Sequence, residues 1–116
     1  MENNTKFDMR ACLKDIEQSI GIIYDTLPEK RNFLGFQQDL KMKETVQGQI
    51  QVIGDAMDKL LQDNPEISLT DYRKIILHRR RLFLYESKEN VSEKTMWLIV
   101  NRYLPILKFQ IREYLK

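Results

Sequence analysis

At 116 residues the chain has room for one domain with a real hydrophobic core and none for a second. Hydrophobic residues at 42% and charged residues at 31%, with only 4 Gly and 3 Pro, exclude the fibrous and disordered classes. The 19 basic and 17 acidic side chains leave a net charge of +2, so a polyanionic partner has to be argued from local clustering and not from the average.

From about residue 8 to 25, Met9, Cys12, Leu13, Ile16, Ile20 and Ile23 recur at three- and four-residue intervals. This spacing predicts a first helix, with Asp8 as its N-cap. Thr26-Leu27-Pro28 ends it, and Phe33, Leu34 and Phe36 around Gly35 predict a short turn or helix packed on the core. A second long helix is expected over about 40–62, where Met42, Val46, Ile50, Ile53, Met57, Leu60 and Leu61 form one apolar stripe and Asp63-Asn64-Pro65 follows as the stop. Gly48 and Gly54 inside it are expected where another backbone approaches closely, because a helical glycine otherwise costs about 1 kcal/mol relative to alanine.

Ser68 and Asp71 predict the start of a third helix over about 69–85. A fourth begins near Ser92, with Met96, Trp97, Val100, Tyr103, Leu104, Leu107, Ile111 and Leu115 on one broad face. Pro105 predicts a kink or a break within it, since proline removes a backbone donor and clashes with the preceding turn. No strand pattern or repeat is present. The expected fold is therefore all-α, a single domain over 1–116 built as an antiparallel four-helix bundle, or five helices if Pro105 breaks the last.

Cys12, the only cysteine, excludes an internal disulfide and is expected as a buried small hydrophobe, which suits the cytoplasm. No stretch approaches the roughly 20 apolar residues of a membrane span, and the first eight residues are polar, so neither a membrane nor export is expected. There is no Gly-rich phosphate loop, no ligand set for a metal and no catalytic triad, so neither metal nor cofactor is expected.

The one local concentration of charge is Arg73-Lys74-Ile75-Ile76-Leu77-His78-Arg79-Arg80-Arg81, which holds five of the 19 basic side chains and the only histidine. On a helical wheel Leu69, Tyr72, Ile76 and Phe83 fall together as a core face, with Ile75 and Leu82 beside them. Lys74, His78, Arg81 and Tyr85 fall on the far side, where cations on one rigid element suit a polyanion. Arg79 projects toward the core face and should snorkel, pair with Asp55 or Glu44, or line a cleft between subunits. Leu77 and Leu84 form a second apolar stripe beside Arg73 and Arg80, which predicts a homodimer. The plain reading of the run is a solvated basic face balanced by nearby acids.

Several segments, in order, resemble the HepT-like ribonucleases of the HEPN superfamily. They are Phe36-Gln37-Gln38-Asp39 before the long helix, Ile53-Gly54-Asp55-Ala56 within it, Asn64-Pro65-Glu66-Ile67 after it, then Trp97 and Leu104-Pro105-Ile106-Leu107. The likeness spans about residues 9–115. It implies a dimeric helical bundle, metal-independent cleavage of RNA, and a role as the toxin of a toxin-antitoxin pair. It also implies a small nucleotidyltransferase antitoxin that modifies a tyrosine near the active site. The family motif runs from an arginine through a histidine to a tyrosine. Arg73 and His78 keep its Arg-to-His spacing, with Lys74 after the arginine and Arg80 at the tyrosine position. Alternatively Arg79 and Tyr85 align as its ends, with Leu84 in the histidine position.

The first alignment implies His78 as general base with Arg73, or Arg79, stabilising the phosphorane, and Lys74, Arg80 and Arg81 binding phosphate. The second implies a non-catalytic adaptor that binds the nucleotidyltransferase, a nucleotide or RNA through the same surface. Tyr85 is the implied nucleotidylation site. Five residues put Arg73 and His78 about 140° apart on a helix, so the arginine acting with His78 is expected from the second protomer.

Overall fold

A computed structural model describes residues 8–72 and 92–116. Within them the fold is all-α, with no strand. Helix α1 (Met9–Thr26) begins at Asp8, whose carboxylate accepts from the Ala11 N–H at 3.1 Å, and ends where Leu27 closes the last turn onto the Ile23 carbonyl. Helix α2 (Phe33–Gln38) is a short element whose N-cap is Asn32, its side chain accepting from the Gly35 N–H. Asp39 then caps the long helix α3 (Leu40–Asp63) by accepting from the Met42 N–H at 3.0 Å.

After the turn at 64–67, residues 67–71 are not helical, although a helix was expected from about Leu69. The Ser68 N–H donates to the Tyr114 hydroxyl at 2.9 Å and the Thr70 N–H to Gln110 Oε1 at 2.8 Å. Those backbone donors are held by side chains from the last helix, and Tyr72 is the first helical residue described beyond them.

The C-terminal part starts at Ser92, which accepts from the Thr95 N–H and caps α4 (Glu93–Leu98). The chain continues through a π-helical turn, Ile99–Tyr103, into α5 (Leu104–Leu115), with the Leu104 N–H reaching back to the Ile99 carbonyl. The widened turn lies directly before Pro105, where a kink or break was expected, and the helical run continues across the proline. Proline at the start of α5 has no N–H to give the preceding turn, and a π turn just before it accommodates the missing bond without interrupting the rod.

The core is one cluster running the length of the bundle. Leu13, Ile16, Ile20 and Ile23 of α1 pack with Val46, Ile53, Met57 and Leu60 of α3 and with Val100, Leu104, Leu107 and Ile111 of the C-terminal helices. Contacts pair rising positions in α1 with falling ones elsewhere: Cys12 Sγ donates to the Ala56 carbonyl, Glu17 meets Arg112, and Tyr24 meets Lys108. The last two contacts make helix α1 antiparallel to α5. No described helix is long and apolar enough to cross a membrane.

Gly54 is buried in α3, but Gly48 corrects the expectation of close backbone approach: among the described residues a Cβ built there meets nothing within 4 Å. Gly21 in α1 is equally open. Both carry the entropic penalty of helical glycine with no packing return. Gly48→Ala is therefore expected to stabilise the protein by about 0.5–1 kcal/mol, read as a raised urea midpoint at unchanged slope. A lowered midpoint would mean that something packs on that face.

Candidate functional site

Arg73, Lys74, His78, Arg79, Arg80, Arg81 and Tyr85, together with Leu77 and Leu84, lie outside the described residues. Their flanks are described, and both are tied to α3. Tyr72 is 1% exposed and donates its hydroxyl hydrogen to the Ile50 carbonyl at 3.2 Å. On the other side the Ser92 hydroxyl donates to Thr95 Oγ1 at 2.9 Å, and Lys43 Nζ donates to Glu93 Oε2 at 2.7 Å. Lys43 and Ile50 are two helical turns apart, about 10 Å along the axis. The hydrogen bond from Lys43, then one from Gln37, holds the Glu93 carboxyl below the ordinary glutamate range.

That depression has a definite sign. The folded carboxyl ionises more readily than the unfolded one, so its contribution is present above the unfolded pKa and is lost as pH falls through the lower folded value. Glu93→Gln is expected to flatten the acid limb of the stability curve while leaving the neutral-to-alkaline limb unchanged. Parallel acid limbs in the two proteins would show that Lys43 and Gln37 do not select the ionised form.

The segments that carry the family resemblance fall at three levels of the bundle. Phe36 and Trp97 meet with ring centroids 5.1 Å apart, and Phe33 packs edge-on to the same indole at 5.8 Å. Ile53 and Gly54 are buried in the middle of α3. The 64–67 turn closes at the far end of α3, where the Ile67 N–H donates to the Asn64 carbonyl.

Two surface depressions flank α1. The larger, about 780 Å³, lies between α1 and α3 and presents Asp8, Asp15 and Asp55 with Lys59. Cys12 lines it, but burial, and secondarily Asp15, pushes its thiol pKa up, which leaves it a poor nucleophile. No group of His, Cys, Asp and Glu among the described residues is arranged to hold a metal ion.

The second depression, about 420 Å³, has the opposite charge. Its floor is Tyr24, with the Arg31 guanidinium carbon 5.0 Å and Lys108 Nζ 5.2 Å from the ring centroid. Arg31 is oriented by donating to Asn101 Oδ1 at 2.9 Å, and Asn101 in turn donates to the Trp97 carbonyl at 2.9 Å. Arg112 enters from α5, its Nε donating to Glu17 Oε2 at 3.3 Å, and Phe109 stands beside it 66% exposed. The Tyr24 hydroxyl oxygen is buried without a hydrogen-bond partner among the described residues. Burial raises its pKa, against the pull of Arg31, so it stays a protonated donor at neutral pH.

No protein-family model, curated protein or solved structure matches the chain.

Sequence reasoning centred on 73–81 did not reveal this basic depression. Its cations come from the α1–α2 connection and from α5, and only the four-residue step from Lys108 to Arg112 hints at a shared face.

Proposed function

We propose that the chain is a HepT-like ribonuclease of the HEPN superfamily, the toxin of a pair whose antitoxin is a small nucleotidyltransferase, acting in the cytoplasm as a homodimer. The observation that carries this reading is the all-α bundle in which Tyr72 and Glu93, on either side of the basic segment, are both tied to α3. The packing of Phe36 on Trp97, two of the resembling segments, supports it further.

In this reading His78 takes the proton from a ribose 2′-hydroxyl, and the 2′-oxygen attacks the adjacent phosphorus. The bond to the 5′-oxygen breaks as that oxygen takes a proton from solvent water, leaving a 2′,3′-cyclic phosphate. Arg73, or Arg79, stabilises the charge on the pentacoordinate phosphorus, and Lys74, Arg80 and Arg81 hold the neighbouring phosphates. No metal is required. The direct test is incubation of the purified protein with structured and single-stranded RNA in chelator. The expected products carry 2′,3′-cyclic phosphate ends. Intact RNA would favour the adaptor reading, in which Leu84 occupies the histidine position.

Tyr85 is the residue on which the antitoxin acts. A transferred nucleotide there places negative charge against the basic segment and repels RNA. After coexpression with a small nucleotidyltransferase of the proposed antitoxin class, mass spectrometry is expected to find the added mass on the peptide containing Tyr85. An unmodified Tyr85 despite an active transferase would remove this part of the proposal.

A further inference from the structure

We propose that the depression built by Tyr24, Arg31, Lys108, Phe109 and Arg112 binds a nucleotide unit of single-stranded RNA, its phosphate on the cations and its base on the Phe109 ring. Three observations converge on this chemistry. First, Arg31 and Lys108 both lie over the Tyr24 ring and neither has a carboxylate partner among the described residues. Lys108 is partly buried against the ring and Arg31 remains exposed, so both are held in place beside the depression and free to meet an incoming phosphate. Second, the buried Tyr24 hydroxyl is a donor without an acceptor. A buried unsatisfied donor costs on the order of 1–3 kcal/mol; the hydroxyl is closed to solvent, so a phosphate oxygen relieves that cost only when the side chains around it move aside.

Third, Phe109 is 66% exposed at the rim, beside Lys108 and one helical turn from Arg112. The bundle gains little from a ring in that position, whereas a base stacked on it adds contact that every nucleobase provides. A simple anion would use the cations and leave the ring idle. A nucleotide uses both. An anionic membrane would also take cations and an exposed ring, but the cations here surround a concavity, which suits a discrete phosphate better than a planar surface.

The site stands apart from the catalytic proposal, since none of its residues belongs to 73–91. Its test is accordingly independent of cleavage. A labelled single-stranded RNA hexamer carrying 2′-O-methyl groups, which cannot form a cyclic phosphate, is titrated by fluorescence anisotropy into the full chain. Adenosine monophosphate competes in one arm and polyglutamate in another, and vesicles with one-third phosphatidylserine are tested by flotation. Wild type is expected to bind the oligonucleotide, with the mononucleotide competing weakly. Phe109→Ala is expected to weaken binding about five- to a hundredfold, the range of a lost stacking contact. Lys108→Gln should weaken it and lower the salt dependence by about one counterion. Lys59→Gln, on the α1–α3 face, is expected to bind as wild type.

Circular dichroism checks that each variant remains helical; Phe109 is largely in water, so its loss leaves the core intact. Wild-type affinity in both Phe109→Ala and Lys108→Gln would overturn the proposal. So would polyglutamate competing as well as RNA, which would mean that charge alone is recognised, or vesicle binding without oligonucleotide binding. Loss of affinity in these variants with RNA cleavage absent altogether would leave this site standing and remove the ribonuclease reading.

Discussion

His78→Ala is expected to abolish metal-independent RNA cleavage while the protein stays helical and dimeric. His78 is the only histidine of the chain, so no second imidazole can take over as general base. General bases contribute typically 10²- to 10⁴-fold to rate, and a neutral imidazole is the one side chain here whose ordinary pKa suits proton abstraction near pH 7. Replacing Arg73 or Arg79 acts on a different contribution, the charge that develops on phosphorus, and is expected to cost on the order of a hundredfold. The assay follows 2′,3′-cyclic phosphate formation in chelator, with light scattering on each variant to check the dimer. Equal cleavage by wild type and His78→Ala would exclude His78 as the base. A monomeric wild type at micromolar concentration that still cleaves would exclude an arginine supplied by a second protomer.

Tyr72→Ala is the substitution with the largest expected effect on stability. Tyr72 is 1% exposed, among the largest fully buried side chains of the protein, and its hydroxyl donates to the Ile50 carbonyl. Truncating a buried aromatic residue to alanine typically costs about 3–5 kcal/mol, a large part of the 5–15 kcal/mol that holds a domain folded. Tyr72→Phe keeps the ring and forgoes only the hydrogen bond, so it should cost about 1 kcal/mol. Urea unfolding separates the two: a large drop in midpoint for alanine, a small one for phenylalanine. The pair also probes the proposed site, because Tyr72 immediately precedes Arg73. Under conditions where Tyr72→Ala is still folded, cleavage is expected to fall further than the remaining folded fraction explains, whereas Tyr72→Phe should cleave nearly as wild type. Equal stability of all three proteins would show that Tyr72 does not anchor the segment.

Much of the bundle was legible from neighbouring residues alone. The apolar steps from Met9 to Ile23 and from Met42 to Leu61 each describe one helix face, and those faces are the buried ones. Asp8 was recognisable as a cap, and the last helix was expected to begin near Ser92, which does cap it; in both a short polar side chain just before an apolar-periodic run meets the free N–H groups of the first turn. Such features depend on residues within one or two turns of each other, so the order of residues is sufficient to reveal them.

Other features depend on which helix lies against which. Ser68 and Asp71 read as the start of a helix from about Leu69, yet the Ser68 and Thr70 N–H groups are taken by Tyr114 and Gln110, 46 and 40 residues away. Pro105 read as a kink or a break, and the structure places a π turn directly before it, with Val100, Leu104 and Leu107 all in the core packed across helices. Gly48 read as a point of close packing, and only the placement of the surrounding helices shows open space beside it. The basic depression is the clearest case, since Tyr24, Arg31 and Lys108 are unremarkable where they stand in the chain. Antiparallel packing of α1 on α5 lays Lys108 over the Tyr24 ring and the α1–α2 connection brings Arg31 to it, and a charge cluster assembled across separate elements leaves no periodic trace in the sequence.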